Sequence, residues 1–118
     1  MKLSIAMMVK NEEKYLDQCL SSLKPIMEEI ESELIIVDTG SEDRTVDIAK
    51  RYTDKVYFHE WNNDFGSMRN KTIQYAKGEW ILILDGDEIV SKPEGIIKFL
   101  KSKESKKFNT AMLTIKNI

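Results

Sequence analysis

Near-continuous apolar runs fall at Leu3 to Val9, Leu34 to Val37 and Trp80 to Leu84. All three read as strands, and Trp80 to Leu84 as one buried on both faces, because a strand with one wet face alternates with polar residues. The segments between them follow a helical rhythm instead. Leu16, Cys19, Leu20 and Leu23 recur at helical spacing, which predicts a helix after Asn11, with Asn11 as N-cap and Glu12 and Glu13 favouring its positive end. Pro25 breaks or restarts it, and Ile26, Met27 and Ile30 continue it. The second strand, Glu33 to Asp38, ends on an acid and leads into a tight loop, Thr39 to Asp43. Ser41 and Asp43 are candidate caps for a helix from about Arg44 to Tyr52 that buries Val46 and Ala49, with Ile48 and Tyr52 as further candidates. Lys55 to His59 is shorter and more mixed, which suits a strand nearer a sheet edge.

Asp64 can cap a helix from Phe65 to about Lys77, with Phe65, Met68, Thr72 and Ala76 on one face and Gly78 as its terminator. After Trp80 to Leu84, Ser91-Lys92-Pro93-Glu94 has capping-box spacing, and Ile96, Ile97 and Leu100 form the inner face of the helix it starts. From Phe108 to Ile118, Ala111, Leu113 and Ile115 alternate with Met112, Thr114 and Lys116, the pattern of a strand with one exposed face. This element order predicts an α/β fold: a Rossmann-like open sheet, mostly parallel, with right-handed crossovers and helices on both faces. In such a sheet the carboxyl ends of the first, second and fourth strands open on one edge. Val9 to Glu12, Asp38 to Ser41 and Asp85 to Asp87 can therefore meet around one ligand.

At 118 residues the chain is read as a single domain, 1–118, with one core. A net charge of −2 and a single concentrated basic stretch, Lys101 to Lys107, argue against a nucleic-acid partner. The lone cysteine, Cys19, cannot form an internal disulfide, which points to a reducing compartment. Leu3 to Val9 is too short for a signal peptide, and no stretch approaches membrane-spanning length, so a soluble, cytoplasmic protein is expected.

The chemistry centres on Trp80-Ile81-Leu82-Ile83-Leu84-Asp85-Gly86-Asp87-Glu88. An apolar strand that stops on acids at the crevice edge sets carboxylates together that repel unless a cation or donor groups join them. Hard cations such as Mg²⁺ often take one or two carboxylates and complete their shell with water and phosphate, so the stretch reads as a metal-assisted phosphate site. A solvated acidic turn is the alternative. Asp38 suits either a hydrogen bond from a base edge or a cap on its own loop. Arg69 suits either phosphate oxygens or a surface salt bridge. His59, the only histidine, is read as structural.

Met8-Val9-Lys10-Asn11-Glu12-Glu13, Val37-Asp38-Thr39-Gly40-Ser41-Glu42-Asp43-Arg44-Thr45, Asn63-Asp64-Phe65 with Met68-Arg69-Asn70, Ala76-Lys77-Gly78-Glu79-Trp80 and Leu84-Asp85-Gly86-Asp87-Glu88 together resemble the family 2 glycosyltransferases of the GT-A fold. The Asp64-Phe65 and Arg69-Asn70 element is similar to a bacterial subgroup that includes peptide S-glycosyltransferases and enzymes with added helical repeats. The resemblance implies a nucleotide-diphosphate sugar, often a UDP-sugar, as donor. It implies that Val9 and Glu12 line the nucleotide pocket, Asp38 contacts the base and Arg69 approaches the diphosphate. Asp85 would bind the ribose side or share the metal, and Asp87 would be the more direct Mn²⁺ or Mg²⁺ ligand. The implied reaction is an inverting transfer to an unknown acceptor, a glycan, lipid or peptide, with a carboxylate as base.

Two departures qualify it. Lys10 stands where many relatives carry an aromatic residue. Family members are also longer, with acceptor site and base beyond the matched region, so the chain reads as the donor-binding half, its base expected beyond residue 118. A haloacid-dehalogenase-type phosphatase, with Asp85 as nucleophile and Asp87 as acid/base around Mg²⁺, is the rival enzyme, although that motif normally follows the first strand. A nucleotide-sugar-binding module without turnover is the other alternative. A last strand left with an open edge would invite homo-oligomer formation.

Overall fold

The computed structural model describes residues 2–90, 93–101 and 111–114. In chain order the elements are β1 (Leu3–Val9), α1 (Leu16–Ser21), α2 (Lys24–Glu29), β2 (Ser32–Asp38), α3 (Thr45–Lys50), β3 (Val56–Phe58), α4 (Phe65–Ile73), β4 (Trp80–Ile83), α5 (Pro93–Lys101) and β5 (Ala111–Thr114). The five strands lie in the order β3-β2-β1-β4-β5, and every pairing is parallel. Among the described residues the sheet is thus wholly parallel where a mostly parallel one was expected. The chain winds outward from β1 through β2 to β3, then crosses back to lay β4 on the other side of β1. That reversal makes a topological switch point between β1 and β4, the place where open α/β sheets hold ligands.

Alternation along the central strand explains the layering. Leu3, Ile5, Met7 and Val9 point to one face, with Leu34 and Ile36 of β2 and Trp80 and Leu82 of β4, and meet Leu16, Leu20 and Leu23 around α1, Ile26 of α2, Ile48 and Ala49 of α3 and Leu100 of α5. On the other face Ala6, Ile81 and Ile83 pack with Ile73 and Ala76, under α4 and the turn that follows it. Each fully buried aliphatic side chain contributes roughly 1.5–3 kcal/mol, so the first face supplies most of the burial energy.

A polar network closes the amino edge on the α4 side. Glu33, 5% exposed, accepts hydrogen bonds from Ser4 Oγ, Lys55 Nζ and Lys77 N. Gly78 N donates to Ser4 Oγ at 2.8 Å. Burial alone would raise the Glu33 carboxyl, but these donors and the Lys55 charge hold it below its ordinary value of 4.5.

Several boundaries differ from expectation for local reasons. Asn11 is not an N-cap: it adopts φ 53°, and α1 starts only at Leu16, where no side chain caps it. Pro25 restarts the helix, in the first turn of α2. Ser41 caps no helix either. Nor does Asp43: Arg44 is the N-cap of α3, with no side-chain cap, and the Asp43 carboxylate accepts from Thr45 N, two residues on, at 2.9 Å. The helix α3 buries Thr45, Ile48 and Ala49 and leaves Val46 half-buried. Asp64 caps α4 as expected, accepting from Ser67 N at 3.1 Å. That helix ends at Ile73, short of Lys77. Gly78 therefore terminates nothing; a Cβ there would stand 2.6 Å from Ser4 N, so the residue is set by how closely its backbone approaches β1. Ser91, Lys92, most of the Lys-rich run and the flanks of β5 lie outside the described residues. Among the described residues no helix is long and apolar enough to cross a membrane.

Candidate functional site

The turns after β1 and β2 are built as one piece. Val9 pairs with Asp38 at the end of the ladder, and Thr39 N donates to Val9 O at 3.0 Å. Beyond that point the two turns exchange hydrogen bonds. Asn11 N donates to Ser41 Oγ at 2.9 Å and Glu42 N donates to Asn11 Oδ1 at 2.8 Å. Glu12 N donates to Thr45 Oγ1 at 2.8 Å and Glu13 N to Asp43 Oδ2 at 3.2 Å. Thr45 is fully buried and its hydroxyl in turn donates to Asp43. Asn11, Ser41, Asp43 and Thr45 thus fix the path of the backbone that carries Val9 and Glu12.

Asp38 anchors this lip from below. It is 4% exposed, and its carboxylate accepts from Gly40 N at 3.2 Å and from Ser41 N at 3.2 and 3.3 Å. The loop-capping role is therefore realised. A carboxylate has further lone pairs to offer, so a base contact is compatible with it.

The acid turn meets the same lip from β4. Glu88 closes it, its Oε1 accepting from Asp85 N at 2.8 Å and its own N–H donating to Asp85 O at 3.0 Å. Glu88 is buried, while Asp85 and Asp87 are exposed. Gly86 packs under Glu12: a Cβ would fall 2.8 Å from Glu12 Cγ and 3.2 Å from Val9 Cγ1. Partial burial and the charges of Asp87 and Asp85 push the Glu12 carboxyl above its ordinary value. Cys19, beneath the turn, is fully buried, and burial together with the charges of Glu88, Asp87 and Glu12 drives its thiol up to about 12, so it stays neutral.

Val9, Glu12, Thr39 and Asp85 line an open cleft of about 300 Å³, with Trp61 and Phe65 on its far wall. Beside it Arg69, Met8 and Asp85 border a narrower crevice. The Arg69 guanidinium lies 4.7 Å from the Phe65 ring centre. Its Nε is buried and has no hydrogen-bond partner among the described residues.

The structure thus brings Val9, Glu12 and Asp85 to one cleft and Arg69 to the crevice beside it, which Asp85 also borders, with Asp87 on the same turn as Asp85 and Asp38 buried next to the cleft-lining Thr39. Among the described residues no three His, Cys, Asp or Glu side chains converge to hold a metal by themselves. Asp85 and Asp87 suit a cation shared with ligand oxygens. Sequence reasoning missed Trp61 and Phe65. Phe65 was placed on the buried stripe of its helix, yet it is 51% exposed. His59, as expected, is structural: its Nε2 shares a 2.6 Å hydrogen bond with Tyr75 Oη.

The sequence profile of the family described as Glycosyl transferase family 2 matches residues 4–115. A TPR repeat-containing protein of Synechococcus elongatus is 42% identical over 87 residues, covering 74% of this chain and 21% of that protein. The SPbeta prophage-derived glycosyltransferase SunS of Bacillus subtilis is 40% identical over 92 residues, covering 76% of this chain and 21% of that protein. The chain spans about a fifth of the length of these relatives. The crystal structure of Staphylococcus aureus TarS 1-349 in complex with UDP-GlcNAc superposes with a TM-score of 0.67 at 28% identity, covering 84% of this chain and 30% of that one. That likeness bears out the GT-A, Rossmann-like architecture.

Proposed function

The chain belongs to glycosyltransferase family 2, and from that membership we propose that it forms the donor-binding part of an enzyme that transfers a sugar from a UDP-sugar, with inversion, to a glycan, lipid or peptide acceptor. One observation carries the reading. Glu12, Asp85 and Asp87 crowd one end of the cleft and, among the described residues, none of them forms an ion pair. Arg69 stands alongside with an unsatisfied Nε. Uncompensated carboxylates next to a forked cation match a ligand that brings phosphate oxygens and a divalent ion together. The UDP-GlcNAc held by the similar TarS structure supports the same ligand class.

In this reading Val9 and Glu12 wall the nucleotide, and Asp38 accepts a hydrogen bond from the base edge. Arg69 donates to the diphosphate, where its charge stabilises the leaving group as the sugar–oxygen bond breaks. Asp87, with Asp85 beside it, holds Mn²⁺ or Mg²⁺, which when bound supplies further charge neutralisation at the diphosphate.

Calorimetric titration with UDP tests the proposal. Wild type is expected to bind UDP more tightly with Mn²⁺ than without, and Asp87→Ala to lose that metal-dependent gain, about tenfold or more in Kd. Equal affinity of both proteins with and without metal would remove the metal role. A wild type that binds no UDP would remove the donor role.

A further inference from the structure

Trp61 and Phe65 are exposed aromatics on the wall of the cleft, 36% and 51% accessible. Their rings meet edge to face, with centroids 6.4 Å apart and planes at 62°. One face of Phe65 is covered by the Arg69 guanidinium. The indole is held from behind: Trp61 Nε1 donates to Asn63 Oδ1 at 3.1 Å, Asn63 sits in the left-handed region at φ 63°, and Asp64 N donates to Asn62 Oδ1 at 2.9 Å. A short loop braced in this way presets the indole orientation before any ligand arrives. Large aromatics left accessible beside a cleft mark a binding surface more often than a packing defect.

Position along the sheet edge says which part of a ligand meets the indole. The acids end β4 and Arg69 lies beside them, then come Val9 and Lys10 at the end of β1, Thr39 at the end of β2, and Trp61 beyond β3. A nucleoside diphosphate with its phosphates at the acid and Arg69 end directs its base toward Thr39 and Trp61.

Resting on the donor-binding reading above, we propose that Trp61 is the platform on which the donor's nucleobase stacks, with the Phe65 ring, itself covered on one face by Arg69, packed edge to face against the indole. Base–aromatic stacking needs only a ring face, and Trp61 offers the largest one in the cleft.

Binding of UMP, UDP and Mn²⁺–pyrophosphate to wild type, Trp61→Ala and Trp61→Phe tests this. Trp61→Ala is expected to weaken UMP and UDP alike by roughly tenfold and to leave pyrophosphate unchanged, and Trp61→Phe to recover most of the loss. Fluorescence gives an independent readout, because the chain has two tryptophans and Trp80 is only 3% exposed. UMP should quench wild-type emission, and Trp61→Phe should bind UMP without that quench. Unchanged UMP affinity in Trp61→Ala, or a quench that survives in Trp61→Phe, would overturn the assignment. A loss confined to UDP-sugars would put the indole against the sugar and overturn it equally. A wild type that binds neither nucleotide fails the donor reading, and this assignment with it.

Discussion

Glu33 lies at the amino edge of the sheet, and Asp85 and Asp87 at its carboxyl edge, yet the protein treats these acids in opposite ways. Around Glu33 it supplies a lysine, a hydroxyl and a backbone N–H, and the carboxylate is buried and ionised. Around Glu12, Asp85 and Asp87 it supplies mainly more acid, and Glu12 is pushed toward its neutral form. The first arrangement is complete without a ligand. The second holds carboxylates that, among the described residues, form no ion pair. Comparing the two edges separates carboxylates that the fold itself pairs from carboxylates that, among the described residues, it leaves without an ion pair.

The largest expected effect lies at the complete edge. Glu33→Ala removes the shared acceptor of Ser4 Oγ, Lys77 N and the Lys55 ammonium, leaving Lys77 N and Gly78 N only their bonds to Ser4 Oγ at 3.1 and 2.8 Å. Denaturant unfolding should show a loss of about 2–3 kcal/mol, discounted for the partial exposure of Lys55. Asp87→Ala, by contrast, should leave unfolding stability unchanged or slightly higher in the absence of metal, because it removes repulsion. If Asp87→Ala destabilised as much as Glu33→Ala, the contrast between the edges would be lost.

Alanine at two glycines sharpens the comparison. At Gly78 the added carbon meets backbone at 2.6 Å, which cannot yield, and overpacking should cost about 1–3 kcal/mol. At Gly86 it meets the Glu12 side chain at 2.8 Å, which can rotate away. Gly86→Ala should therefore unfold with less than about 1 kcal/mol of loss while weakening UDP binding, and calorimetry beside denaturation separates the two outcomes.

The smallest effect is in pH dependence, and its sign differs between the edges. Glu33 titrates below 4.5 when folded, so its contribution is present above 4.5 and is lost as pH falls through the folded value. Glu33→Gln should flatten that acid limb of the stability curve. Glu12 titrates above 4.5 when folded, so its ionisation opposes the fold as pH rises from 4.5 through the folded value. Glu12→Gln should be slightly more stable than wild type at neutral pH in the absence of metal, and that gain should vanish below pH 4.5.

The strands and their succession along the chain, though not their order in the sheet, were legible because buried strands leave apolar runs: Leu3 to Val9 forms the strand expected, and the strand-end residues meet on one edge as a parallel sheet requires. The turns were not legible to the same degree. Asn11, Ser41 and Thr45 carry short polar side chains that look alike whether they cap their own helix or bond a turn some thirty residues away. Phe65 matched a helical stripe, but α4 opens at the cleft mouth, where its first residue has no sheet to cover it. Gly78 has the spacing of a helix terminator, and nothing in one chain's letters reveals that a neighbouring strand passes within contact distance.

Asn11 with Ser41 and Glu42, Glu12 with Thr45 and Glu13 with Asp43 are fastened rung by rung. An engineer who grafts a foreign segment onto either turn to change donor preference therefore inherits an obligation at the other. Only a transplant of both halves together keeps the rungs in register, and the smallest exchangeable module here is a pair of turns from different parts of the chain.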